Sequence, residues 1–318
     1  MFYRRRSKIL SMAKLAGEQV LVMFILMGVG YAFAKRKWIT SQGSMDMNKL
    51  LLYIVNPCII ITSYHRPFDR VLFSTLLEGF ILAIISHALA IFLAFIFLRG
   101  RDDKIKLERF SVIFSNSGFM GIPLISALLG SEGVVLASIY IMIFIVTQWT
   151  VGVLILSERS DIKTMLKKLL FNPGVIAVII GLTIFRLSIS LPKPLFLSMG
   201  YIANLNTPIA MIVVGTFIAR TNVLASFLIS RVYLVSFLRL LLLPLLMIPV
   251  YMVFGTSNSL MVANYVATAC PVAALAAMFP AAYGYDPDYA TGFITVSTIL
   301  SVITIPLMII LLGMIFAF

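Results

Sequence analysis

Ser115-Asn116-Ser117-Gly118-Phe119-Met120-Gly121-Ile122-Pro123 interrupts an apolar segment of about residues 110–129, long enough to cross a bilayer. A membrane helix has reason to avoid this composition. Two glycines, a proline, an asparagine and two serines weaken a hydrogen-bond ladder that no water can repair at that depth. Two readings compete: a proline-kinked helix packed through its glycines, and a broken helix that lines a binding site. A second interruption, Ala269-Cys270-Pro271 in the other half of the chain, favours the broken helix.

Working outward, the whole chain of 318 residues is 61% hydrophobic and only 12% charged. A water-soluble domain could not hide that much apolar surface, so the expected class is an all-α polytopic membrane protein. Ten apolar segments are expected at 17–34, 48–64, 71–98, 110–129, 133–156, 170–187, 196–219, 232–254, 259–283 and 289–316. Residues 1–16 read as a basic tail with Arg4, Arg5, Arg6, Lys8 and Lys14. No small-residue cleavage pattern follows the first apolar stretch, so no signal peptide is expected. Met12 is a candidate start that would make residues 1–11 an upstream extension.

The +13 net charge is not a nucleic-acid signature, because the basic residues cluster at segment ends. One face collects Lys35, Arg36, Lys37, Lys49, Arg99, Arg101, Lys104, Lys106, Arg109, Arg159, Lys163, Lys167, Lys168, Arg220 and Arg231. The other face has Arg66, Arg70, Arg186 and Lys193 besides the tail. The richer face is expected in the cytoplasm, with both termini outside, in a bacterial-type cytoplasmic membrane. Cys58 and Cys270, each beside a proline in an apolar segment, read as small buried residues.

Ten segments divide into two five-helix repeats, residues 17–157 and 158–318, and an odd number per repeat inverts one against the other. Asn56-Pro57 in the second segment answers Thr207-Pro208 in the seventh, and Pro123 in the fourth answers Pro271 in the ninth. An inverted repeat with paired broken helices is the plan of a secondary transporter with its substrate held near the midplane.

At these residues the chain resembles the auxin efflux carrier family, which includes plant carriers and bacterial organic-acid permeases. The resemblance rests on Asn116 to Pro123, Asn56-Pro57, Asn172-Pro173 with Gly181, Thr207-Pro208, and Cys270-Pro271 through Asp286-Pro287 to Ser297-Thr298. It implies that the fourth and ninth helices cross at Pro123 and Pro271. It also implies an anionic substrate near the crossing, with Asn116 as one contact. Plant carriers have a polar side chain after the second crossing proline, where this chain has Val272. An auxin-like substrate therefore does not follow.

The residues themselves also suit an anion. Proline is favoured at the first helical position, so Pro123 and Pro271 are expected to open two half-helices whose N-termini attract a carboxylate. Ser115, Asn116, Ser117 and Gly118 would line the site, with Gly121 at the crossing. Asn264 and Thr268, shortly before Pro271, are further candidates. Asn56 and Asn206 either complete the lining or tie helices together. No Lys or Arg lies in either break, so a bound carboxylate would leave the cavity net negative. An inside-negative potential would then favour export unless cations accompany the substrate.

Ionisable residues inside the segments are functional candidates by default. Glu78 either reaches the headgroups or serves ion coupling, and His87 is either a core histidine or a proton carrier. A membrane-embedded enzyme would need a nucleophile with its base or a metal cluster, and only two histidines are present. The expected function is a permease for a small organic anion, with no cofactor, coupled to H+ or Na+ or to neither. The oligomeric state is left open, a homodimer included. A sodium-coupled bile-acid-type symporter is the nearest rival and predicts acidic sodium ligands at the crossing. A channel or a receptor explains the paired breaks less simply.

Overall fold

Helix α1 spans Phe2–Lys35, so most of the expected tail continues into the first helix. The computed structural model describes the backbone of residues 2–157 and 161–316. The side chains of Arg4, Arg5, Arg6 and Lys8, and all of Arg159, lie outside the described residues. Helix α2 (Ser41–Ser63) and α3 (Arg70–Phe97) follow. Helix α4 (Asp103–Ile113) leads into the break, after which the helix resumes as α5 (117–129) and α6 (131–156). The second half contains α7 (Ile162–Leu170), α8 (Pro173–Leu187), α9 (Lys193–Ala203) and α10 (Asn206–Arg220). It continues with α11 (Val223–Phe227), α12 (Ser230–Phe254), α13 (Asn258–Ala269), α14 (Leu275–Ala281) and α15 (Pro287–Phe316).

Seven helical stretches are long and apolar enough to cross a membrane, or eight if the pair α7 and α8, bent by 52°, is one span. One of the seven is the 40-residue run Ser117–Leu156. At 1.5 Å per residue it would measure about 60 Å, twice a hydrocarbon core of about 30 Å. Gly130, at φ 64° and ψ −153°, turns the chain inside this run and separates α5 from α6. A positive φ of this kind costs glycine nothing.

Three prolines leave the same mark, whereas Pro249, Pro280 and Pro306 lie inside helices without it. Three π-helical turns, Leu51–Val55, Ser117–Gly121 and Leu238–Leu242, each end two residues before a proline, namely Pro57, Pro123 and Pro244. A proline ring clashes with the carbonyl four residues earlier, and the wider turn relieves that clash. The expectation that Pro123 opens a half-helix is therefore corrected: the helix resumes at Ser117, and Pro123 lies inside it. Pro271 is also not a first helical residue. It sits in extended backbone ahead of the Ala274 cap.

The halves meet through close backbone approaches. A Cβ on Gly30 of α1 would lie 2.1 Å from the Ile212 carbonyl oxygen of α10, and one on Gly215 of α10 would lie 2.0 Å from that of Met27. Gly181 of α8 packs likewise on the Tyr64 ring beyond α2, 2.5 Å from such a Cβ. Small residues at helix crossings are how membrane helices gain dispersion contacts.

The connecting segments gather at two ends. Arg66 donates to Ser131, Phe68 N–H to Ser188, and Leu191 N–H to His65, which joins the ends poor in basic residues. At the other end Glu108 pairs with Arg231 at 3.2 Å and accepts from Tyr289 at 2.7 Å, while Lys106 donates to Tyr285.

Candidate functional site at the crossing of two breaks

The two interruptions are hydrogen-bonded to each other. Ser115 and Val272 form an isolated antiparallel bridge. Asn116 N–H donates to the Pro271 carbonyl at 2.8 Å, and Ala273 N–H donates to the Phe114 carbonyl at 3.0 Å. Each break thus satisfies backbone groups that the other exposes, which lets non-helical backbone persist among apolar helices. The crossing lies at Ser115 and Val272, with Pro271 taking part through its carbonyl, while Pro123 lies away from it inside α5. Gly121 packs beside the crossing: a Cβ there would lie 3.3 Å from Cys270 Sγ. Val272 is fully buried, and its N–H donates to Ser297 Oγ at 3.1 Å.

A cavity of about 230 Å³ opens on one side of the crossing. Ser115, Asn116, Ser117 and Gly118 line it, with Ala273, Ala274 and Leu275 of the second break and Asn56 of α2. Gln148 and Trp149 of α6, and Asn172 before α8, complete its polar wall. Four polar atoms on these residues are buried without a partner: Asn116 Nδ2, Ser115 Oγ, Ser117 Oγ and Trp149 Nε1. Every one of them can donate a hydrogen bond.

Asn116 precedes the resumed helix, yet its side chain makes no capping bond. The first bond of the resumed helix runs from Met120 N–H to the Asn116 carbonyl at 2.9 Å, so the N–H groups of Ser117, Gly118 and Phe119 precede the ladder. They carry the positive end of the helix dipole at the cavity wall. Gly118 leaves this wall open, since a Cβ there would meet nothing within 4 Å.

Other expected site residues are placed elsewhere. Asn264 Oδ1 accepts from the Tyr251 hydroxyl at 2.8 Å, and neither Asn264 nor Thr268 lines the cavity. Asn206 Nδ2 donates to Asn56 Oδ1 at 2.7 Å, so these two tie α10 to α2 while Asn56 also reaches the cavity. His87 is buried, with Nδ1 at 2.8 Å from the Ala83 carbonyl and its ring centroid 4.8 Å from that of Tyr140. Glu78 is half-buried on α3 with Oε1 lacking a partner. Neither His87 nor Glu78 lines the cavity. A wider cleft of about 740 Å³, lined by Arg66, Asp69, Arg70, Glu132 and Ser257 among others, shares no residue with it.

Three residues at the crossing or its cavity escaped the sequence reading. Gln148 and Trp149 sit in an apolar segment, where a glutamine is itself a signal. Arg239 is the larger omission. Fully buried on α12, it donates from Nε to the Cys270 carbonyl at 3.2 Å and from Nη1 to the carbonyls of Val112 at 3.0 Å and Ile113 at 3.3 Å. Nη2 donates to the Thr268 carbonyl. No Lys or Arg lies in either break or lines the cavity, yet one basic side chain reaches the crossing from behind. Arg239 comes from a third segment, outside both breaks, and a charge mid-segment was its signal.

A family model described as membrane transport protein matches residues 15–309. A protein of Methanothermobacter thermautotrophicus described as an uncharacterized transporter is 28% identical over 296 residues, covering 91% of this chain and 96% of its own. These matches agree with the resemblance read from the sequence, and with the helical structure they make the chain an integral, multi-pass membrane protein.

Proposed function

Because the chain belongs to the membrane transport protein family, we propose that it is a permease that moves a small organic anion by alternating access, with a carboxylate held at the crossing. One observation carries this reading: Asn116 stands at a helix N-terminus without capping it, its Nδ2 unpartnered beside a cavity rimmed by unpaired donors. Leaving such groups unpaired in an apolar surrounding is costly, and a carboxylate is acceptor-only. The described lining has no Asp or Glu, so it offers no acidic ligand for sodium.

The reading includes ten spans in two inverted repeats. Two broken segments, α4 with α5 and α13 with α14, are added to the eight spans counted above once Gly130 ends α5. Pairing supports the symmetry as well. The first segment packs on the seventh through Gly30 and Gly215, and the sixth packs on the second through Gly181. Those two pairings exchange when the halves exchange. The Asn56–Asn206 hydrogen bond joins the second and seventh segments within one residue of their matching positions.

The test is uptake into proteoliposomes of a panel of small carboxylates, with and without sodium and across pH. Saturable flux of at least one carboxylate, accelerated by unlabelled substrate on the far side, is expected. Flux that does not saturate would make the protein a channel, and flux of neutral analogues alone would overturn the anion reading. The sodium and pH arms decide between cation-coupled and uncoupled transport.

A further inference from the structure

Arg239 poses a physical problem. Its side chain is fully buried, and among the described residues it has no ion pair with a carboxylate. A guanidinium stays charged at any pH a protein meets, and burying an uncompensated charge is very costly. Its compensation must come from the carbonyls it touches. Val112 and Ile113 are the last residues of α4, and Thr268 and Cys270 flank the end of α13. The last four carbonyls of a helix have no partner within it, and each helix end carries about half a negative charge. Two such ends amount to about one negative charge, which one guanidinium offsets.

The placement on α12 is built rather than incidental. Arg239 stands on the π-helical turn Leu238–Leu242, ahead of Pro244. Its planar fork reaches both broken segments at once, whereas a lysine ammonium has no fork. The carbonyls it holds lie two to six residues before the cavity-lining Ser115, Asn116, Ala273 and Ala274. At about 3.3 Å per extended residue, these carbonyls lie within roughly 7–20 Å of the cavity wall along the chain.

We infer that Arg239 is a positioning residue that holds the two broken segments at their crossing and cancels the negative ends of α4 and α13. An anion in the cavity then meets the donors of the first break and not the charge of two helix C-termini. This rests on the cavity being the anion site, but its test reads electrostatic potential and not transport, so the two readings fail separately.

The experiment places a reporter thiol in the cavity. In a Cys58→Ala, Cys270→Ala background of the full chain, Gln148→Cys is labelled with anionic sulfonatoethyl and cationic trimethylammonioethyl methanethiosulfonate. Each rate is divided by that of a free thiol in solution. With Arg239 present, the anionic reagent is expected to be the favoured one. Arg239→Gln should lower the anionic-to-cationic ratio by about tenfold or more, as a full charge at that range in a protein interior predicts. Arg239→Lys should restore most of the ratio, because it keeps the charge and loses only the fork. An unchanged ratio in a folded Arg239→Gln protein would overturn the proposal and leave the arginine a purely mechanical tie. A preference for the cationic reagent with Arg239 in place would overturn it even if no Arg239 variant folds.

Discussion

The two breaks share a backbone plan and divide the chemistry. The first, Phe114–Asn116 with the first turn of α5, brings an asparagine, two serines and a run of unladdered N–H groups to the cavity. The second, Cys270–Ala274 before α14, brings only small apolar side chains to it, with a valine fully buried behind. Yet the second break supplies half of the bridge, and the carbonyls of Thr268 and Cys270 to Arg239. Matching breaks in sequence need not make matching ligands. One brings polar groups to the cavity, and the other bonds to the first across the crossing.

That contrast can be broken most sharply by topology. If the breaks belong to inverted halves, cysteines at Lys104 and Asn258, near the starts of α4 and α13, should be labelled from opposite faces of the membrane, all or none. Both on one face would end the inverted-repeat reading. Filling the cavity comes next: Gly118→Leu should bring transport to background with thermal stability nearly intact, since its Cβ meets no neighbour. Normal flux in that variant would move the substrate elsewhere.

Asn116→Ala tests the first break. A hydrogen bond to a charged group contributes about 1.5–3 kcal/mol, so affinity for a transported carboxylate should fall roughly ten- to a hundredfold. Unchanged affinity in a well-folded protein would make the asparagine a tie between segments. Asn264→Ala, on the helix before the second break, should instead leave affinity unchanged and cost about 1 kcal/mol of stability, the worth of its bond from Tyr251. A loss of affinity there would restore the ninth segment to the site. His87→Gln is expected to have the smallest effect, leaving the pH profile of transport in place. A shifted profile would make the histidine part of proton coupling.

How much of this was legible depends on the kind of signal. Membrane class, helical content and the two interruptions follow from composition and from Gly, Pro and Asn at membrane depth, because the bilayer penalises them wherever they fall in the fold. Proline marked both breaks but located only the second, where Pro271 lies within it. The ring disturbs the turn before it, so the first helix yields at Phe114–Asn116 while Pro123 stays helical. Asn56 and Asn206 could be read as ligands or ties; their 2.7 Å contact makes both of them ties, and only Asn56 also lines the cavity.

By itself, then, the sequence determined that this chain lives in a membrane, that two of its segments break, and which family it belongs to. These are properties of local composition and order. The tertiary structure alone decided that the breaks meet at Ser115 and Val272, that Gln148 and Trp149 wall the cavity, and that Arg239 stands behind the crossing. A buried arginine is explained by the carbonyls around it, and those come from segments more than 120 residues apart in the chain.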